Sequence, residues 1–192
     1  HGQDGIWRSY VPPLAKDRII TILGLGTLGT ACGIALKRLG FNVRGWSRRE
    51  KRVDGIQCFY GDEQIDSSLM DADIVVLLLP DTPLTQNILN QHTLNLLKRG
   101  AFVLNPGRGP LIDDDALLAA LDSGQIEHAT LDVFRIEPLP QNHQYWSNNK
   151  VTVIPHKASE TRPKTASQVI AMNIGRAENG QELLYLVDRE NG

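Results

Sequence analysis

The stretch "RIITILGLGTLGTACGIALKRLG", residues 18–40, decides the fold. Its first six residues are mostly aliphatic and predict a buried strand, which Gly24, Gly26 and Gly29 follow as G-x-G-x-x-G. In such a turn the first glycine permits the tight bend, the second lets the backbone approach a pyrophosphate, and the third lets the next helix pack close. The alternative is a purely structural glycine turn. Because the motif lies between a predicted strand and a predicted helix, we favour dinucleotide binding over this alternative.

Strand-like and helix-like segments alternate along most of the chain. Apolar residues at helical spacing predict an amphipathic helix over 28–39, ended by Gly40, and further helices over 113–124 and 158–174. Six aliphatic runs predict strands at 18–23, 41–46, 73–79, 100–105, 127–133 and 150–155. Most of these runs are apolar on both faces, as in a sheet covered on both sides. We therefore predict an α/β fold, a doubly wound parallel sheet of the Rossmann type.

Composition narrows the function classes. The chain has 192 residues and a net charge of −2, which gives no electrostatic reason to expect nucleic acid or an anionic membrane as a partner. The apolar run at 74–79 is far too short to cross a bilayer. Cys32 and Cys58 have no metal-ligand spacing around them, so we expect reduced thiols, no metal site and a cytoplasmic location.

A cluster of positive charge follows the second predicted strand. An NAD site usually has an acidic residue here for the ribose 2′-hydroxyl, but this chain has Ser47, Arg48 and Arg49. Guanidinium groups can bind a 2′-phosphate in a bidentate manner, whereas a carboxylate would repel it. The alternative is an ordinary solvated basic loop. The position relative to the glycines favours NADP(H) as the cofactor.

Three residues with suitable chemistry follow the ends of later strands. Arg108 lies in "NPGRGPLID", Glu137 in "LDVFRIEPLP" and His156 in "IPHKASET". Arginine can bind a carboxylate, histidine can transfer a proton near neutral pH, and a carboxylate beside it can stabilise the imidazolium. Taken singly, each could be an ordinary loop, solvent-facing or capping residue. Together, at the ligand-binding edge, they suit reduction of a small 2-oxo acid.

These motifs resemble those of the D-isomer-specific 2-hydroxyacid dehydrogenases, and more closely those of their glyoxylate/hydroxypyruvate reductase A subgroup. The similarity runs from about Trp7 to Gly192. The sequences that carry it, in chain order, are "LGLGTLG", "GWSRREK", "LLLPDTPLTQNILN", "NPGRGPLIDDDALLAALDSGQI", "LDVFRIEPLP", "PHKAS" and "VDRENG". One departure is Gly107, which precedes Arg108 where the family commonly has alanine.

The resemblance implies a role for each matched residue. Arg108 would bind the substrate carboxylate and carbonyl, His156 would protonate the carbonyl oxygen, and Glu137 would pair with His156 and raise its pKa. Asp132 would lie near the nicotinamide carboxamide, and the subgroup's preference for NADPH agrees with Arg48 and Arg49. The other cofactor contacts that it implies are the backbone of Thr27 and Leu28, a loop with Leu79, Pro80 and Thr85, and Pro106 beside Arg108.

The resemblance also implies a domain organisation. Residues 18–158 would form the dinucleotide-binding domain, residues 1–17 the remnant of an interdomain connection, and residues 159–192 a C-terminal helix and tail that return to a substrate domain. We therefore expect a fragment that lacks most of the substrate domain, binds NADPH, turns over poorly alone, and forms a homodimer. The alternative function is a non-catalytic dinucleotide-binding sensor or regulator on the same fold.

Overall fold

Seven parallel strands form one sheet in the computed structural model, which describes residues 11–186. The strands are β1 (Ile19–Leu23), β2 (Asn42–Ser47), β3 (Gln57–Tyr60), β4 (Ile74–Leu77), β5 (Ala101–Asn105), β6 (Ile126–Leu131) and β7 (Val151–Val153). Their spatial order is β3-β2-β1-β4-β5-β6-β7. The order reverses direction between β1 and β4, which is the mark of a doubly wound fold.

Helices cover both faces of this sheet. On β4, Val75 and Leu77 belong to one buried cluster while Ile74 and Val76 pack against another, because successive strand residues point to opposite faces. The helices are α1 (Thr27–Arg38), α2 (Ile65–Leu69), α3 (Gln91–Leu96), α4 (Asp114–Ser123) and α5 (Pro163–Glu178). Side chains of α1 pack in the smaller cluster, and side chains of α2, α3 and α4 pack in the larger one. The predicted fold class is therefore confirmed.

The signals that predicted α4 act as expected. The Asp113 carboxylate accepts a hydrogen bond of 3.1 Å from the backbone N–H of Ala116 and so caps the first turn. Gly124 follows the last turn in the left-handed conformation, with φ of 73°. Asp113 therefore marks the start of α4, and Gly124 marks its end.

One strand was not predicted, and the clearest boundary errors lie after β4 and before α5. The strand β3 was not predicted, because it is only four residues long and lies at the sheet edge, where it is not fully buried. The strand predicted over 73–79 ends at Leu77, since Leu78 and Leu79 leave the sheet to start a loop. The helix predicted from residue 158 begins at Pro163, a residue suited to the first helical position.

Helix α5 differs from the other long helices because it contains no buried residue. Ile170 and Ile174 are each more than half exposed.

The predicted domain boundary near residue 158 remains a prediction, as do the segments 1–17 and 159–192. Trp7, where the family similarity begins, and the closing motif 187–192 lie outside the described residues. Within the described part of the chain, no helix is long and apolar enough to cross a membrane.

Substitution of Gly29 by alanine should destabilise the fold. A Cβ at this position would overlap the carbonyl oxygen of Gly24, a backbone atom that cannot move without opening the turn. We expect Gly29→Ala to lower the free energy of unfolding by about 3 kcal/mol or more, measured by urea denaturation.

The matched control is Gly175→Ala in α5, where a Cβ would have no neighbour within 4 Å. This change should leave stability unchanged or raise it by up to about 1 kcal/mol, because alanine is the better helix former. Equal unfolding midpoints for the two variants would contradict the close packing inferred at Gly29.

Candidate active site

The predicted functional residues gather at the carboxyl edge of the sheet. The glycine turn follows β1, the basic loop follows β2, and Arg108 follows β5. Glu137 lies in the segment after β6, and His156 follows β7. Ligands of doubly wound folds bind at this edge, near the point where the strand order reverses.

The glycine turn leaves a space next to the start of α1. Gly24 has φ of 113°, and a Cβ there would lie 2.5 Å from the carbonyl oxygen of Leu78, so only glycine fits. A Cβ on Gly26, by contrast, would have no neighbour within 4 Å. No side chain caps the N-terminus of α1, and its first turn contains no acidic residue. The uncapped amides and the open space suit an anionic ligand.

A cavity of about 300 Å³ lies beside this turn. Its other walls come from the end of β2 and from the loop after β4. Thr27, Leu28, Gly29, Pro106 and Asp132 do not line it. The predicted cofactor residues that do line it are Gly24, Gly26, Ser47, Arg48, Arg49, Leu79, Pro80 and Thr85.

On the basic side of the cavity, side chains donate hydrogen bonds to nearby backbone carbonyls. The Ser47 hydroxyl donates to the carbonyl of Arg49 at 2.7 Å, which fixes the turn that carries the exposed Arg48 and Arg49. Lys51 reaches across and donates from Nζ to the carbonyl of Leu25 at 2.6 Å. Lys51 also lines the cavity, although the sequence-based site did not include it. The sequence could have suggested Lys51, because it belongs to the same run of positive charge as Arg48 and Arg49.

Thr85 holds the opposite wall. Its hydroxyl donates to the carbonyl of Pro80 at 2.7 Å and accepts the backbone N–H of Thr82 at 2.9 Å. Thr85 is only 9% exposed, so its hydroxyl stabilises the conformation of this loop. Leu79 is equally buried and gives the cavity an apolar surface. The loop is therefore shaped by its own hydrogen bonds.

Glu137 and His156 are in direct contact, with 2.7 Å between Oε2 of Glu137 and Nδ1 of His156. The other carboxylate oxygen accepts the backbone N–H of Phe134 at 2.9 Å. Partial burial alone would raise the pKa of Glu137, but the hydrogen bonds from His156 and Phe134 and the charges of His156 and Arg108 outweigh it. The pKa of Glu137 therefore lies below its usual value of 4.5.

Asp132 supports the loop that carries His156. Its carboxylate is 3% exposed and accepts the backbone N–H groups of Lys157 at 2.7 Å and Ala158 at 3.0 Å. Its backbone carbonyl accepts the N–H of His156 at 2.9 Å. His156 has φ of 51°, a left-handed conformation that L-residues adopt only when their surroundings hold it. The contact of Asp132 with a nicotinamide remains a prediction.

Arg108 is exposed and lies just before a short 3-10 helix, Gly109–Leu111. Asn105, which is 2% exposed, shapes this loop, because its side chain donates to the carbonyl of Arg108 at 2.9 Å and accepts the N–H of Gly107 at 3.1 Å. A Cβ on Gly107 would lie 2.8 Å from the carbonyl oxygen of Leu77, which explains glycine in place of alanine. Sequence reasoning assigned no role to Asn105, although a polar residue at the end of an apolar run was visible.

The arrangement brings together a cation, a proton donor and a carboxylate. The charge of Arg108 lowers the pKa of Glu137, so the two side chains are within electrostatic range. The His156 side chain is 52% exposed and can therefore meet a ligand. No cluster of three or more potential metal-ligating side chains occurs among residues 11–186. These groups can bind an anion and move a proton at the same edge of the sheet as the cavity.

Two curated relatives are similar over nearly the whole chain. Both are named glyoxylate/hydroxypyruvate reductase A. The protein from Serratia proteamaculans is 44% identical over 95% of this chain, and the one from Yersinia enterocolitica is 40% identical over 99%. The matches cover 58% and 61% of those proteins, so the chain spans about three fifths of their length.

Solved structures agree with these relatives. A D-isomer specific 2-hydroxyacid dehydrogenase from Xanthobacter autotrophicus Py2, in complex with NADPH and MES, has a TM-score of 0.94 and 44% identity, over 99% of this chain and 79% of that one. An NADPH-dependent glyoxylate/hydroxypyruvate reductase from Sinorhizobium meliloti, with NADP and sulfate, also has a TM-score of 0.94, at 32% identity over 98% of this chain and 61% of that one.

The family described as D-isomer specific 2-hydroxyacid dehydrogenase, NAD binding domain, has a model that matches residues 2–158, most of the chain. The matched range contains every predicted site residue. The chain belongs to the D-isomer specific 2-hydroxyacid dehydrogenase family.

Proposed function

We propose that the protein takes part in the NADPH-dependent reduction of a small 2-oxo acid of the glyoxylate or hydroxypyruvate type to the 2-hydroxy acid. The observation that carries this proposal is the contact between His156 and Glu137 beside Arg108, at the edge that also holds the dinucleotide-type cavity. The names of the similar reductases and the NADPH complex of the Xanthobacter enzyme support it.

The residues present fit NADP(H). Gly26 leaves room where a side chain would stand, and the uncapped N-terminus of α1 offers amides to a pyrophosphate. Arg48 and Arg49 lie on the cavity wall that would face a ribose 2′-phosphate, with Lys51 beside them. Leu79 and Pro80 would cover the opposite side. The residues that follow Ser47 directly are arginines, so the position where an NAD site usually has a carboxylate is basic here. Among the described residues, Asp62 is the one acidic residue that lines the cavity, together with three cationic side chains.

The further cofactor contacts are also proposals. Thr27 and Leu28 open α1, so their backbone N–H groups are free to face a pyrophosphate at the helix start. Pro106 lies in the loop that carries Arg108, and Asp132 supports the loop that carries His156. When bound, the reduced nicotinamide would supply the hydride to the carbonyl carbon of the substrate.

The protein's own residues would perform the remaining chemistry. Arg108 binds the substrate carboxylate and orients the neighbouring carbonyl. His156 holds a proton on Nε2 and delivers it to the carbonyl oxygen, while Nδ1 faces Glu137. Glu137 remains a carboxylate at neutral pH, which stabilises the protonated imidazole and fixes its orientation.

A dinucleotide sensor on the same fold would need the cavity but not this pair. Binding a cofactor does not require a histidine held in a left-handed conformation against a carboxylate. Strained residues of this kind are concentrated at reactive sites. The pair therefore favours the enzyme over the sensor.

The organisation of the protein follows the same proposal. Residues 18–158 form the dinucleotide-binding domain, residues 1–17 belong to an interdomain connection, and residues 159–192 return to a substrate domain. We place the enzyme in the cytoplasm, where Cys32 and Cys58 stay as the free thiols seen here. A homodimer would cover the exposed apolar side chains of α1, Leu28 and Ile34. Sedimentation equilibrium that gives only monomer would contradict the dimer.

Loss of the two arginines should alter cofactor preference. We expect Arg48→Ala with Arg49→Ala to weaken NADPH binding by about tenfold or more and to spare NADH, because only NADPH carries the 2′-phosphate. Fluorescence titration with both cofactors measures the change.

The matched control is Gly26→Ala, which adds a methyl group to the proposed pyrophosphate space without a clash in the protein. It should weaken both cofactors alike. If the double arginine variant lost as much affinity for NADH as for NADPH, the 2′-phosphate assignment would be contradicted.

Removal of the imidazole should impair proton transfer. In the natural protein, His156→Ala should lower kcat for glyoxylate reduction by about 10²- to 10⁴-fold, with NADPH affinity unchanged. Stopped-flow measurement of NADPH oxidation gives both quantities. Wild-type turnover in the variant would remove His156 from the mechanism, and a wild-type protein without 2-oxo acid reduction would contradict the proposed function.

Glu137 should titrate in acid below 4.5. Because its pKa is lower folded than unfolded, it stabilises the fold above the unfolded value, and this contribution is lost as pH falls through the folded value. Carbon NMR of the carboxyl group should show this midpoint, and His156→Ala should move it upward. A midpoint that does not change in the variant would show that the pair does not set this pKa.

A further inference from the structure

Arg135 lies two residues before Glu137 and joins three separate segments. Its Nη2 donates to the carbonyl of Ile112 and to the side-chain oxygen of Asn87. Its Nε lies 3.6 Å from the carboxylate of Asp114, and its side chain is 35% exposed. One guanidinium thus connects the segment after β6 to the loop after β4 and to the start of α4.

The backbone makes a second connection at the same place. A Cβ on Gly109, the neighbour of Arg108, would overlap the carbonyl group of Phe134 and crowd the nitrogen of Arg135. The loop that carries Arg108 and the segment that carries Glu137 therefore touch backbone to backbone. The N–H of Asn87 donates to the carbonyl of Pro110 at 2.9 Å, so the third segment is joined to the same loop.

The contacts of Arg135 are adjacent to the three proposed reacting groups, Arg108, Glu137 and His156. Arg135 follows Phe134, whose N–H donates to Glu137 at 2.9 Å, and Glu137 in turn contacts His156. Ile112 closes the 3-10 helix that begins directly after Arg108. A shift of Arg135 would therefore move the carboxylate and the substrate-binding arginine relative to each other.

We propose that Arg135 is a positioning residue that sets the geometry between Arg108 and the Glu137–His156 pair by bracing their two loops against each other. The inference rests on the proposed function for what those groups do. Arginine suits this place because its planar fork donates in several fixed directions, whereas lysine offers one flexible point charge. Arg135 does not line the proposed cofactor cavity, so its effect is confined to the substrate side.

The test compares Arg135→Ala and Arg135→Lys with a control at Arg99. Arg99 also donates from Nη2 to a backbone carbonyl, that of Ser123 at 2.7 Å, but just before β5, at the other end of that strand from Arg108. The control Arg99→Ala therefore removes a similar bond away from the site. For each protein, we would measure KM and kcat for glyoxylate, Kd for NADPH, the melting temperature and the NMR titration midpoint of the Glu137 carboxyl group.

We expect Arg135→Ala to raise KM by about tenfold and to lower kcat by a similar factor, because small misplacements of reacting groups have large effects on rate. NADPH affinity should stay the same, and the Glu137 midpoint should rise as its pairing with His156 loosens. Arg135→Lys keeps the charge but not the fork, so it should shift the same quantities in the same direction by less. Arg99→Ala should leave all of them unchanged except the melting temperature.

A fall in melting temperature alone, with KM, kcat and the Glu137 midpoint at wild-type values, would reduce Arg135 to a stabilising role and overturn the proposal. Wild-type behaviour of Arg135→Lys would also overturn it, and this variant decides the matter if Arg135→Ala does not fold. If the wild-type protein reduces no 2-oxo acid, the proposed function fails. The Glu137 midpoint still tests the bracing then: a rise in Arg135→Ala and Arg135→Lys supports it, and no change overturns it.

Discussion

The parallel direction of all seven strands is the constraint on which the site depends. Parallel neighbours lie about 5 Å apart and end at the same edge, so each loop after a strand opens onto one surface. This brings Arg108, Glu137 and His156 together although they follow three different strands. The same rule places the glycine turn and the basic loop side by side at the ends of β1 and β2.

Buried polar side chains then give this edge its shape. Asp132 holds the His156 loop, Asn105 holds the Arg108 loop, and Thr85 holds the loop after β4. Each is less than 10% exposed, and breaking such a bond would leave a buried group unpaired at a cost of about 1–3 kcal/mol. These loops are therefore fixed by hydrogen bonds between their backbone and a few buried side chains.

Much of the fold could be predicted because its signals are local. The caps at Asp113 and Gly124 depend on neighbouring residues alone, and the G-x-G-x-x-G turn is recognised from its own six residues. The strand β3 could not be predicted, because so short a segment becomes a strand only by pairing with β2. The contacts of Lys51 and Arg135 could not be predicted either, because each joins segments that are distant in the sequence.

The sequence by itself determined the alternation of strands and helices, the place of the glycine turn, the positive charge after β2 and the identity of the three candidate reacting residues. These follow from apolar periodicity and from the chemistry of single side chains. Only the tertiary structure decided that Glu137 touches His156, that Asp132 holds the histidine loop, and that Arg135 bridges three segments. The physical reason is that such contacts depend on the path of each loop, which long-range packing and hydrogen bonds set and local preference does not.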